Sequence, residues 1–193
     1  MHTSILATKL FIPPPRPDLI ARSRLVERMD AGHHGKLTLV SAPAGFGKTT
    51  LVSAWRATST HPVAWVALDE EDSNTVRFFT YFVAALRTIA PGLGEDVLKM
   101  LQSTPPAPLD SLLTALLNEM AAIPEPFALV LDDYHGVDSQ VVDDALTFLL
   151  DHLPPQMHLV ITTREDPRLP LPGWSPRVEL SKAPAFKLVI SPS

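Results

Sequence analysis

The apolar positions of this chain follow two alternating rhythms. Leu37-Thr38-Leu39-Val40, Val63-Ala64-Trp65-Val66-Ala67-Leu68, Phe127-Ala128-Leu129-Val130-Leu131 and residues 157–162 are short, almost uninterrupted apolar runs. Runs of that length predict strands buried on both faces, as in a parallel sheet. Between them, apolar residues recur at three and four. Phe78, Phe79, Phe82, Val83, Leu86 and Ile89 mark an amphipathic helix over 75–90, and Val142, Leu146, Leu149 and Leu150 mark another over 139–153. Further helices are expected over 23–30, 49–58 and 109–123. The aromatic stripe of 75–90 reads as core packing, not as a ligand box.

Strand and helix therefore alternate, which predicts an α/β fold: a parallel sheet of about five strands with helices on both faces and right-handed crossovers. Residues 91–108 read as a loop interrupted by a short apolar turn. Residues 8–24 carry Pro13, Pro14, Pro15 and Pro17 and are expected to run extended. Beyond Arg164 prolines break the pattern, and only Phe186-Lys187-Leu188-Val189-Ile190 offers a last strand. The expected organisation is a proline-rich arm and short helix over 1–30, a core over 31–168 and a divergent tail over 169–193.

Composition narrows the classes. A chain of 193 residues, 46% hydrophobic and 19% charged, suits one globular domain. A net charge of −5 argues against a basic nucleic-acid surface, so no direct DNA binding is expected from this segment. Cysteine is absent, which excludes disulfides and thiolate metal sites. No run reaches the length of a membrane span, and the N-terminus lacks the features of a signal peptide, so a cytoplasmic, membrane-free protein is expected. His33, His34, His61, His135, His152 and His158 show no paired metal spacing.

The chemistry concentrates where the first strand meets the second helix, at Ala42-Pro43-Ala44-Gly45-Phe46-Gly47-Lys48-Thr49-Thr50. Glycines there let successive backbone N–H groups face a phosphate chain at the positive end of the next helix. Pro43 through Thr50 are the expected nucleotide-binding residues. Lys48 would reach the β- and γ-phosphates and the Thr49 hydroxyl would hold Mg²⁺. Ala42 stands where the strict motif has its first glycine, a mild departure at the start of the loop.

The third run ends in Asp132-Asp133. Strand alternation points the two acids differently, so Asp132 is expected to hold Mg²⁺ through water and Asp133 to act as general base. Thr162-Thr163-Arg164 closes the fourth run, where Arg164 is either a γ-phosphate sensor or a solvated side chain. Asp69-Glu70-Glu71-Asp72 reads as a solvated turn, and His135 as structural. Without an Asn-Lys-x-Asp signature, adenine is the expected base.

Taken together, the loop, the acid pair and Arg164 describe a three-layer P-loop NTPase; its ASCE/STAND-like type is what a family resemblance implies. Thr8-Lys9-Leu10, residues 20–25, Ser41 to Thr50, Trp65-Val66-Ala67-Leu68-Asp69-Glu70 and Leu129-Val130-Leu131-Asp132-Asp133-Tyr134-His135 keep the order seen in one family. They resemble the N-terminal ATPase module of MalT-type (LuxR-family) transcription activators, which belong to the STAND class of signalling ATPases. That resemblance covers about residues 8–167. It implies an ATP/ADP switch, with Lys48 and Thr49 on phosphate and Mg²⁺, Asp132 and Asp133 as the acidic pair and Arg164 at the sensor position. It also implies that Arg22 approaches the nucleotide and that ATP favours self-association. The family continues into winged-helix, helical-repeat and DNA-binding domains. The early tail after Arg164 therefore reads as a truncation, a frameshift or an artificial chain end. Slow ATP hydrolysis, a non-hydrolysing interaction module, a degenerate fragment and a small-molecule kinase all stay open at this level.

Overall fold

A computed structural model describes residues 5–14, 23–32, 35–105, 107–165, 167, 169 and 185–190. Five parallel strands form one sheet: β1 Leu37–Ser41, β2 Val63–Ala67, β3 Phe127–Asp132, β4 Met157–Thr163 and β5 Ala185–Val189. Their spatial order is β2-β3-β4-β1-β5. β4 is thus inserted between β1 and β3, pairing Ser41 with Thr163 on one side and Leu131 with Ile161 on the other. The sequence rhythm anticipates all five strands. β5 is parallel to β1 along its whole length, pairing Leu37 with Ala185 and Ser41 with Val189.

Six α-helices accompany the sheet among the described residues: α1 Ser23–Gly32, α2 Lys48–Thr58, α3 Thr75–Leu86, α4 Glu95–Leu101, α5 Leu109–Ala121 and α6 Gln140–His152. The sheet separates two apolar clusters. Leu37, Leu39, Val66, Leu129, Leu131, Leu159 and Ile161 face α3, α5 and α6. Val40, Trp65, Val130 and Val160 face the other way, with Met29 of α1 and Leu51, Val52 and Trp55 of α2. This is the expected three-layer α/β fold, because side chains of successive strand residues alternate faces and both faces are apolar. The aromatic stripe of α3 is core, with Phe78 and Phe79 in edge-to-face contact at 5.2 Å.

Three expectations are corrected. The segment 91–108 contains the genuine helix α4, because Gly94 adopts a left-handed conformation (φ 72°) and its N–H is met by the Glu119 carboxylate at 2.5 Å. The helix expected to reach residue 90 stops at Leu86, and Ile89 and Ala90 close tight turns back onto Leu86. In the arm expected to run extended, residues 7–10 form a 3₁₀ turn. It is held by Lys9, whose buried ammonium bonds Asp69 at 2.9 Å and also Asp72.

The acidic run after β2 is solvated at Asp69, Glu70 and Glu71, as expected, but not at Asp72. Asp72 is fully buried, paired with Lys9 and with Arg77 Nε at 3.1 Å. Its other oxygen contacts include the Asp69 N–H, closing a capping box over the 3₁₀ turn 70–73.

Candidate functional site

β1 delivers the chain into the glycine loop, and α2 opens at Lys48. Gly45 and Gly47 have φ of 81° and 75°, a region that costs a side-chain-bearing residue about 1–2 kcal/mol. An added Cβ at Gly45 would meet nothing within 4 Å. Glycine is required here by backbone conformation, not by space.

Lys48 Nζ is buried and donates to the carbonyl oxygens of Ala42 and Pro43 at 2.8 and 3.2 Å. Among the described residues it makes no ion pair. Burial lowers its pKa; the Asp133 carboxylate opposes that shift and Arg164 adds to it. Thr49 Oγ1 donates to both oxygens of Asp132, at 3.1 and 3.0 Å.

Asp132 ends β3 and is buried. Thr162, at the corresponding point of neighbouring β4, donates its hydroxyl to Asp132 Oδ1 at 2.6 Å and accepts the Asp133 N–H at 2.9 Å. Burial pushes the Asp132 carboxyl above its ordinary value, and Asp133 pushes the same way against the two threonine hydrogen bonds.

Asp133 points differently from Asp132, but strand alternation is not the reason. The strand has ended, and Asp133 lies in the left-handed region at φ 58°, ψ 40°. Its side chain is half exposed and approaches His135 Nδ1 at 3.7 Å.

A cleft of about 310 Å³ is lined by Ala44, Gly45, Gly47, Lys48, Thr49, Thr50, Asp133 and Arg164. The fold thus brings together most of the residues singled out from sequence. Pro43 takes part through its carbonyl, and Phe46 turns away to pack against the α1/α2 cluster. Arg164 is exposed at the mouth of the cleft. Arg22 lies outside the described residues. Beside the cleft, a second cavity of about 340 Å³ is bordered by Tyr134, His135, Asp143 and Glu165.

The arrangement suits a polyphosphate and a hard divalent cation. Thr49 commits its proton to Asp132, so its lone pairs remain open to a cation. One hydroxyl and one carboxylate are too few for a protein-only cage, and no group of three or more His, Cys, Asp or Glu stands together among the described residues. Mg²⁺ meets that condition, since it takes much of its shell from phosphate and water. Thr162 escaped sequence reasoning as a site residue; its signal was a hydroxyl at the end of a strand whose neighbour only the strand order reveals.

Comparison with known proteins agrees with this fold. Residues 21–162 match the family model described as AAA ATPase domain. The HTH-type transcriptional regulator MalT of Cronobacter sakazakii is 35% identical over 176 residues, covering 91% of this chain and 19% of that protein. The chain therefore spans about a fifth of the length of the curated relatives it matches. Among solved structures, a STAND protein with a tetratricopeptide repeat sensor from Pyrococcus horikoshii aligns with a TM-score of 0.58 at 16% identity, covering 93% of this chain and 24% of that one. A Walker-type ATPase of Pyrococcus abyssi aligns at 0.53 and 18% identity, over 94% and 56% of the two chains. These two likenesses bear on the fold, a P-loop ATPase sheet.

Proposed function

This chain belongs to the AAA ATPase domain family, and from that premise we propose that it is an ATP/ADP-binding regulatory module with slow, Mg²⁺-dependent ATP hydrolysis. The observation that carries the reading is the Thr49–Asp132 hydrogen bond, which joins the phosphate loop to the acid pair across the inserted strand β4.

In this reading the loop N–H groups of residues 44–50 and the Lys48 ammonium take the phosphates, with Lys48 leaving its own loop carbonyls to do so. Thr49 is the cation's protein ligand and Asp132 holds its water shell. The bound cation supplies charge neutralisation at the phosphates. Asp133 accepts the proton of the attacking water, and Arg164 at the mouth of the cleft senses the terminal phosphate. Arg22 approaches the nucleotide from the N-terminal side.

Residues 31–168 are the nucleotide core in this proposal, with 1–30 as its arm and 169–193 contributing the edge strand. The similarity to the transcriptional regulator MalT supports a role in transcription regulation; nucleotide-dependent self-association, a cytoplasmic setting and no direct DNA contact by this segment complete the proposal. No helix of the described residues is long and apolar enough to cross a membrane.

Titration of the purified chain with a fluorescent ATP analogue, with and without Mg²⁺, tests the proposal. Saturable binding that Mg²⁺ strengthens and Lys48→Ala abolishes is expected. Binding indifferent to Lys48→Ala overturns it.

A further inference from the structure

We propose that His135 is a positioning residue for Asp133, its Nδ1–H donating to the carboxylate and turning it toward the phosphate cleft when nucleotide binds. The inference rests on the hydrolysis reading above, in which Asp133 is the base.

Two histidines of this chain make the contrast. His158 is a structural histidine: Nδ1 bonds the Gly35 carbonyl at 2.7 Å and Nε2 bonds Thr38 Oγ1 at 3.0 Å. His135 Nδ1 is also buried, yet it has no hydrogen bond among the described residues. Leaving a buried polar atom unpaired is unfavourable, so its retention calls for a partner in another state. The carboxylate facing it is Asp133, with Oδ1 at 3.7 Å, beyond hydrogen-bond reach.

The ring is the fixed member of this pair. On one side, Tyr134 donates its hydroxyl to Asp143 at 2.5 Å. On the other, Gly136 lies so close to the Asp69 backbone that a Cβ there would meet the Asp69 carbonyl carbon at 3.3 Å. Further along, the Asp138 N–H bonds Ser73 Oγ at 2.9 Å. Asp133 is half exposed and its carboxylate accepts no hydrogen bond among the described residues, so the carboxylate moves to the imidazole and not the reverse. Catalytic hydrogen bonds are often long before substrate arrives and tighten in the complex. With one oxygen held by His135, the other faces the cleft and its water. Burial, then Arg164, lower the imidazole pKa against the pull of Asp133, which favours the neutral ring with its single proton.

The test uses the 193-residue chain and four variants. His135→Phe keeps the ring and deletes the nitrogens, while the amide N–H₂ of His135→Asn takes the place of Nδ1. Phosphate release by His135→Phe is expected to fall about tenfold with KM for ATP within about twofold, and His135→Asn to recover most of the rate. A His135→Phe rate equal to the parent overturns the inference. So does a joint fall in rate, affinity and melting midpoint that His135→Asn does not rescue, since a purely structural role behaves that way.

Turnover is not the only readout. The imidazole ¹⁵N resonances of His135 are expected to report a protonated Nδ1 and to move in Asp133→Asn with ATP and Mg²⁺ present. Unmoved resonances overturn the inference. A parent chain that binds ATP but releases no phosphate removes the hydrolysis reading alone, and the ¹⁵N shifts then decide the His135–Asp133 contact. Loss of binding in Lys48→Ala separately confirms that the cleft is the one being filled.

Discussion

Thr162 donates its hydroxyl to the Asp132 carboxylate in a hydrogen bond of 2.6 Å, and its Oγ1 accepts the N–H of Asp133. One buried hydroxyl therefore fixes both acids, one through its carboxylate and one through its left-handed backbone.

Replacing it with an isosteric residue removes both bonds at once. Thr162→Val is expected to lower stability by about 2–3 kcal/mol in urea unfolding, because a hydrogen bond to a charged group is worth about 1.5–3 kcal/mol and an amide is left unpaired. Thr162→Ser keeps the hydroxyl and should lose less than about 1 kcal/mol. Equal losses in the two variants would show that the methyl group, not the hydroxyl, matters.

Lys9 anchors the N-terminal segment to the end of β2 from inside the protein. Among the described residues, Lys9→Met leaves the fully buried Asp72 with Arg77 alone for charge compensation. Breaking a buried pair by removing one partner costs about 3–5 kcal/mol. Asp72→Asn in the same chain should recover part of that loss. A double-mutant cycle with no coupling between the two positions would contradict the ion-pair account.

Burial raises the Asp132 pKa in the folded protein. The folded state then holds this proton more tightly than the unfolded chain does. Stability without nucleotide must fall as pH climbs from the ordinary carboxylate value of 3.8 through the raised value, and the deficit is complete only above it. Asp132→Asn removes that deficit. Its melting midpoint at pH 7 is expected to rise by about 2–4 °C, while the extra stabilisation that ATP and Mg²⁺ give the parent by mass action should shrink. Scanning calorimetry across pH, with and without ligand, checks both halves.

Gly136 brings two turns together with no side chain between them. Gly136→Ala puts a Cβ at 3.3 and 3.4 Å from the carbonyl carbon and Cα of Asp69, which are backbone atoms with little room to give. A loss of about 1–3 kcal/mol is expected, the usual cost of overpacking. The His135 ring should shift with it, visible as a change in its NMR resonances.

Much of this molecule is readable from local pattern. The apolar runs predict every strand, because a strand buried on both faces must be apolar at successive positions. The periodic stretches predict the helices to within a few residues at each end. Helix α4 hid because it is short, amphipathic over barely two turns and surrounded by Pro91, Pro105 and Pro108. Its start depends on Gly94 and on a carboxylate 25 residues away, which no window of sequence contains.

The acidic turn after β2 was misleading for the same reason. Three of its four acids are solvated, but the fourth, Asp72, is buried against a lysine 63 positions earlier in the chain. His135 is a subtler case. Its identity was visible, but its open nitrogen only acquires meaning beside Asp133 and against the fully bonded His158.

By itself, then, the sequence determined the alternation of strand and helix, the glycine loop at Lys48 and the acid pair that ends an apolar run. Each of these is written in residues close together in the chain, where backbone conformation and side-chain periodicity decide the outcome. The tertiary structure alone decided that β4 runs between β1 and β3. That single choice sets Thr162 against Asp132, gives Asp133 its left-handed turn and puts Arg164 at the mouth of the cleft. Strand order follows from how whole faces pack, a free energy spread over both cores, and so no short stretch of the chain records it.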